Sequence, residues 1–269
     1  MTRPQYLNPT NTKFIHIFTL LFLCLTIMMS VRCQKASPIP SLSRQMILVV
    51  VPTHQDTKGV LHRYEREGGH ADWSPKGDAI PVVIGRNGLG WGRGLHAIIP
   101  KDIPIKREGD GKSPAGVFYL GTVYGFYPAE EMTRLKMPYT QITEPLECVD
   151  DAASKHYNRI VGRNDADSVD WKSSEKMIEY AILYALCVRV EHNADPTENG
   201  AGSCIFLHVW SGPDGTTAGC TAMAHSMMED VTYWMDRSKS PILVQLTKRL
   251  YGELKVSWTL PDLPSMEGG

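Results

Sequence analysis

The sequence predicts a β-rich α+β fold, a mixed β-sandwich or partly closed barrel carrying a few helices. Three observations point there. Short apolar, β-branched runs recur between turn residues, whereas only two stretches carry helical periodicity. The 23 glycines and 18 prolines among 269 residues are more than a helical bundle or coiled coil uses. At 42% hydrophobic residues the chain can bury a core, which excludes disorder over its whole length.

The first element is an apolar run over residues 14–31, FIHIFTLLFLCLTIMMSV, whose one strongly polar member is His16. Arg3 and Lys13 precede it, and Pro38 and Pro40 follow among small and polar residues. This fits an export signal over residues 1–33. Eighteen residues also sit at the short end of spanning length, so a retained N-terminal anchor is the alternative. Membrane contact is expected only through this segment, and the remainder is expected outside the cytoplasm, in the periplasm or cell wall. Residues 34–45 read as a polar linker and residues 46–260 as the working domain.

Residues 46–51, MILVVV, ended by Pro52, predict a buried strand, and residues 60–67 a more exposed one. Residues 80–84, IPVVI, predict a strand running into the glycine-rich stretch GRNGLGWGRG at 85–94. Residues 117–120, 205–210 (IFLHVW) and 242–246 (ILVQL) predict three more. Residues 174–190 read as helix in their first part. Their second half reads as strand, where Tyr184, Leu186, Val188 and Val190 alternate with Ala185, Cys187, Arg189 and Glu191. Ser226 and Glu229 form a capping box ahead of a helix with Met228, Val231, Trp234 and Met235 on one face. No repeat of 20–50 residues suggests a solenoid.

Several functions are excluded. Basic residues number 28 and acidic ones 29, without the basic excess of a nucleic-acid binder. The phosphate-loop pattern fails at GDGKS (109–113), because Lys106 stands where a glycine is required. The dinucleotide fingerprint fails at Arg93, where the third glycine belongs. The stretch 85–94 reads as a turn-rich loop with positive-φ glycines, or as a cleft rim where Arg86 or Arg93 holds a carboxylate. Trp91 and Lys112 are candidate substrate contacts, with core packing and a solvated loop as their alternatives. The nine histidines are scattered and neither HExxH nor CxxC occurs, so no metal site is expected. His192 is expected to be structural.

Chemistry concentrates in His208 to Met223, HVWSGPDGTTAGCTAM. A histidine nearly ends a strand, a Gly/Pro-containing loop follows, and Gly219-Cys220 comes just before the capped helix. A thiol needs a base to become a nucleophile, and an imidazole can take its proton and return it to a leaving amine. Glycine before the cysteine lets a substrate carbonyl approach, with Gly219 and Cys220 backbone placed to stabilise an oxyanion. Of six cysteines, Cys24 and Cys33 lie at the N-terminus; Cys148, Cys187, Cys204 and Cys220 allow two disulfides or a free catalytic thiol.

These residues resemble the L,D-transpeptidase catalytic domain family (YkuD type), whose signature is a His, a spacer, then Ser/Thr-His-Gly-Cys. His208 matches the first His and Gly219-Cys220 the Gly-Cys. The segment KREGDGKSPAGVF at 106–118 is similar to the family's Thr/Ser-Pro-x-Gly-x-Phe stretch, and residues 218–223 look like a divergent branch with Gly-Cys-x-Ala-Met at the nucleophile. Ala218 replaces the usual His before Gly-Cys, and Ala222 the usual polar residue two positions after it. The resemblance covers about residues 46 to 250 and implies an L,D-transpeptidase-like fold. It implies Cys220 as nucleophile and His208 as proton donor and acceptor, oriented by a main-chain carbonyl, with no cofactor. The implied substrates are peptidoglycan stem peptides, with a neighbouring stem or a wall-linked protein as acceptor. Hydrolysis as an L,D-carboxypeptidase or amidase is the alternative; a non-catalytic wall-binding domain with Cys220 bonded to Cys204 or Cys187 is another.

Overall fold

The computed structural model describes Met1, residues 37–69 and residues 71–264. The apolar run at 14–31 lies outside the described residues, and no described helix is long and apolar enough to cross a membrane. Strand occupies 32% of the described residues and helix 14%. The fold class is the expected one, with a barrel that closes fully rather than in part.

Eight strands make the barrel: β1 (Gln45–Val51), β2 (Lys58–Glu65), β4 (Ile80–Val83), β6 (Ser113–Gly125), β11 (Leu186–Val190), β12 (Phe206–Val209), β13 (Thr221–Met223) and β14 (Ile242–Thr247). They run in the order β1, β14, β6, β11, β12, β13, β4, β2, and β2 pairs back onto β1. The β1–β14 and β12–β13 pairs are parallel, and the other barrel pairs are antiparallel. Closure removes both sheet edges. Short strands β3 (Ser74–Pro75), β5 (Leu89–Trp91) and β7 (Tyr139–Gln141) attach to β2 and β6. A separate antiparallel sheet is ordered β10 (Ser174–Lys176), β8 (Leu146–Val149), β9 (Ile160–Gly162).

The residues expected at 46–51 and 242–246 lie side by side as β1 and β14, with Met46 opposite Ile242. Strand β6 is far longer than the run at 117–120, because Pro114 and Gly116 mask its start. Gly116 has φ +136, and a side chain there would collide with the His96 ring. Two expectations need correction. Residues 174–180 form β10 and a 3-10 turn (Met177–Tyr180), not an α-helix. Helix α1 (His225–Trp234) begins one residue before Ser226, with Ala224 as N-cap and no side-chain cap, so the capping box does not form. Its face is as read: Met228, Val231 and Met235 are buried and Trp234 is partly so. Helix α2 (Lys248–Trp258) is capped by Thr247, whose hydroxyl accepts the Leu250 amide at 3.2 Å. Trp258 is fully buried against the barrel core.

Candidate active site

Strand alternation divides β12 and β13 between two environments. Leu207, Val209 and Met223 point into the barrel core. Phe206 and Cys220 point the other way, into a second cluster with Tyr124, Cys148, Tyr184, Cys187 and Cys204. His208 follows the same parity; it pairs with Cys187 across β11 and Ala222 across β13. The small sheet joins this outer cluster through Cys148, and Glu175 in β10 pairs opposite Cys148.

Cys220 is held from several sides. Cys220 Sγ accepts the Phe206 amide at 3.3 Å and lies 3.6 Å from the Cys204 carbonyl, to which the thiol donates. The Cys220 carbonyl accepts from Ser113 Oγ and Thr217 Oγ1, both at 2.7 Å. Ser113 is thus the physical content of the Ser-Pro-x-Gly-x-Phe stretch: it fixes the peptide unit that carries the cysteine. The Gly219 amide is taken by Thr217 Oγ1 at 3.1 Å. A side chain on Gly219 would stand 3.1 Å from the Lys112 carbonyl and 3.3 Å from Ile205, so the glycine sits in a tight spot where its neighbours would have to give by a few tenths of an ångström.

His208 is buried, and its Nδ1 lies 2.7 Å from the Val209 carbonyl. A carbonyl only accepts, so Nδ1 carries the proton and the neutral ring keeps its lone pair on Nε2. The Tyr184 ring packs edge-on against the imidazole, with centroids 5.5 Å apart. Burial lowers the His208 pKa to about 4, opposed by the Val209 hydrogen bond. Burial also pushes the Cys220 thiol well up, and the Glu175 charge adds to this, while the Phe206 amide and Lys106 pull the other way. Both groups therefore rest neutral, the one as thiol and the other as imidazole.

Cys220 and His208 line one cavity of about 380 Å³, shared with Arg86, Lys106, Glu108, Asp150, Glu175 and Tyr184. Lys106 is buried and paired with Asp110 at 2.7 Å. The Glu175 carboxyl is pushed up to about 7 by burial, with Asp150 and Glu108 adding to the shift and the Tyr184 hydrogen bond opposing it.

Of the sequence candidates, His208, Gly219, Cys220 and Arg86 come together here. Trp91 does not. It is 2% exposed and packs against His96 and Trp258. With Arg93 it lines a different cavity of about 670 Å³, whose lining contains no cysteine. Lys112 does not line the Cys220 cavity either; its ammonium is spent on the Asn87 carbonyl at 2.7 Å. His192 is buried, with Nδ1 accepting the Arg93 amide and Nε2 against the Ala201 carbonyl.

Sequence reasoning missed Glu175 and Tyr184. Its alternation put Tyr184 in phase with Leu186 and Val188, but the strand starts only at Leu186. Tyr184 therefore joins Cys187 on the outer face. Cys148 and Cys204 form a disulfide, while Cys187 and Cys220 are free. The pairing of Cys220 with Cys204 or Cys187, which the non-catalytic alternative required, is not found.

A family model described as the L,D-transpeptidase catalytic domain (YkuD) matches residues 46–244. Comparison with curated proteins and with solved structures gives no significant match.

Proposed function

The chain belongs to the L,D-transpeptidase catalytic domain family, and from that membership we propose a cysteine-dependent acyl transfer on peptidoglycan stem peptides, carried by Cys220 and His208. The family gives L,D-transpeptidase-type chemistry and a peptidoglycan-related substrate in general terms. The observation that carries the finer reading is the free thiol sharing a cavity with an imidazole whose Nε2 holds the lone pair.

In this reading His208 Nε2 takes the Cys220 proton as sulfur attacks the carbonyl of the third, diamino-acid residue of a stem. The Phe206 amide stays on the sulfur and steadies the developing thiolate. The Cys220 amide is the oxyanion donor of choice, since the Gly219 amide is already engaged by Thr217. The imidazolium then returns its proton to the departing amine of D-alanine, leaving a thioester on Cys220. An amine of a neighbouring stem or of a wall-linked protein attacks the thioester, giving transpeptidation. Water in its place gives hydrolysis.

The neutral resting pair means that charge is created only when substrate is in place. The Cys148–Cys204 disulfide supports export to an oxidising compartment. The test is intact-mass analysis after incubation with stem tetrapeptides or a carbapenem. An adduct of thioester mass on the wild type, absent from Cys220→Ala, is expected. Neither adduct nor product with any stem would overturn the proposal.

A further inference from the structure

One contact in the catalytic cavity has no part in the steps above. Glu175 and Tyr184 both line the cavity, and the Tyr184 hydroxyl donates to the Glu175 carboxylate. Tyr184 is 2% exposed, and its ring packs on the imidazole of His208 and, with centroids 5.3 Å apart, on Phe206. The backbone beside it is also fixed: the Tyr184 amide donates to the Tyr180 carbonyl at 2.7 Å, and the Val209 amide to the Leu183 carbonyl at 3.0 Å. One flank of His208 is thus built from three pieces that meet at Tyr184.

We propose that Glu175 and Tyr184 are positioning residues for His208: the carboxylate on the small sheet anchors the Tyr184 hydroxyl, and the anchored ring holds the imidazole dry and in one orientation. This rests on His208 being the base in the reading above.

The physical argument runs through satisfaction of a buried hydroxyl. A carboxylate is an acceptor, and Tyr184 is its donor. Without Glu175 the hydroxyl must turn toward water to find a partner, which moves the ring off the imidazole. Water then reaches a histidine whose low basicity depends on dryness. The remaining titratable neighbours do not replace this arrangement. Cys187 faces His208 from β11 and Cys220 lies in the same cavity, both as raised, protonated thiols. Lys106, Glu108, Asp150 and Arg86 line the same cavity, and Asp150 and Glu108 act on the Glu175 carboxyl by their charge.

Three variants separate position from charge. Glu175→Ala removes the acceptor and Tyr184→Phe the donor. Glu175→Gln keeps an acceptor oxygen and removes the charge. Glu175→Ala and Tyr184→Phe should each lower kcat on a stem tetrapeptide about ten- to a hundredfold, with KM little changed. The double variant should be no slower than either single one, and Glu175→Gln should keep most of the wild-type kcat. The acid limb of kcat/KM should rise from about 4 toward 6.5 in Glu175→Ala.

Additive losses, or Glu175→Gln as slow as Glu175→Ala, would overturn the proposal. A second arm needs no turnover: titration of the His208 imidazole by NMR in a Cys220→Ala background, with and without Glu175→Ala. A higher imidazole pKa without Glu175 supports the positioning role, and an unchanged one refutes it, whatever becomes of the transpeptidase reading. If Glu175→Ala does not fold, the same titration on Tyr184→Phe carries the test.

Discussion

The two faces of strands β12 and β13 live under different physics. Inward, Leu207, Val209 and Met223 meet the packed barrel interior, and Thr221 is the polar exception, donating to Gln245 at 2.8 Å. Outward, Phe206, Cys220 and the His208 that shares their parity meet aromatics, sulfurs and a wall of carboxylates. In the proposed function the same few residues therefore supply stability on one face and chemistry on the other. The inner face packs among the barrel strands and is covered by Met228 and Val231 of α1 and by Leu250 and Trp258 of α2. The outer face is shared with the small sheet, which the Cys148–Cys204 bridge joins to the segment leading into β12.

That division predicts opposite outcomes for neighbouring substitutions. Cys220→Ala should lower turnover by on the order of 10⁶-fold, the usual scale for deleting a nucleophile, and change the unfolding free energy by about 1 kcal/mol or less. Leu207→Ala should do the reverse, costing roughly 2–5 kcal/mol in denaturant unfolding while the folded fraction acylates at the wild-type rate. If Leu207→Ala slows acylation of folded protein, the two faces are not separable.

The disulfide on the outer face comes next. Cys148 and Cys204 are 56 residues apart, and losing a crosslink of that span should cost about 4 kcal/mol. The double variant Cys148→Ser/Cys204→Ser, followed by thermal unfolding and by acylation rate, should lose stability and also slow acylation. Intact acylation in the folded fraction would show that the small sheet needs no tether.

Acid titrates two buried imidazoles together, one on the outer face and one elsewhere in the fold. His208 at about 4 and His192 at about 3 bind fewer protons folded than unfolded, because both sit below the ordinary 6.5. Their contribution to stability is complete above pH 6.5 and falls as pH drops toward 3. Urea unfolding across that window should show the decline, and His208→Gln should flatten part of it. The smallest effect belongs to the helix ends. Ser226→Ala should change stability by less than about 0.5 kcal/mol, since Ser226 caps nothing. Thr247→Ala should cost about 1 kcal/mol, since Thr247 caps α2.

Much of this division could be read from residue patterns. Runs such as MILVVV and IFLHVW announce strands, and His208 with Gly219-Cys220 announces the chemistry. Legibility ended where spacing stops carrying distance. Glu175 reaches the site only because β10 pairs opposite Cys148, a register that no local pattern encodes. Tyr184 was placed on the wrong face because the turn before Leu186 resets the alternation. Ser226 and Glu229 had the right spacing for a box, but the chain turns helical at His225, two residues too early for Ser226 to cap it. Trp91, between Gly90 and Gly92, was a candidate substrate contact with core packing as its alternative, and core packing is what His96 and Trp258 give it.

The central claim is that the thiol just before β13, and not the other free thiol in the same cluster, carries the acyl group. Cys187 and Cys220 are both buried in the same cluster, so only the site of modification tells them apart. The decisive measurement is peptide mapping by tandem mass spectrometry of protein trapped with a carbapenem. The account predicts the adduct on the peptide containing Cys220 and none on the peptide containing Cys187. An adduct on Cys187, or an equal adduct in Cys220→Ala, would contradict it.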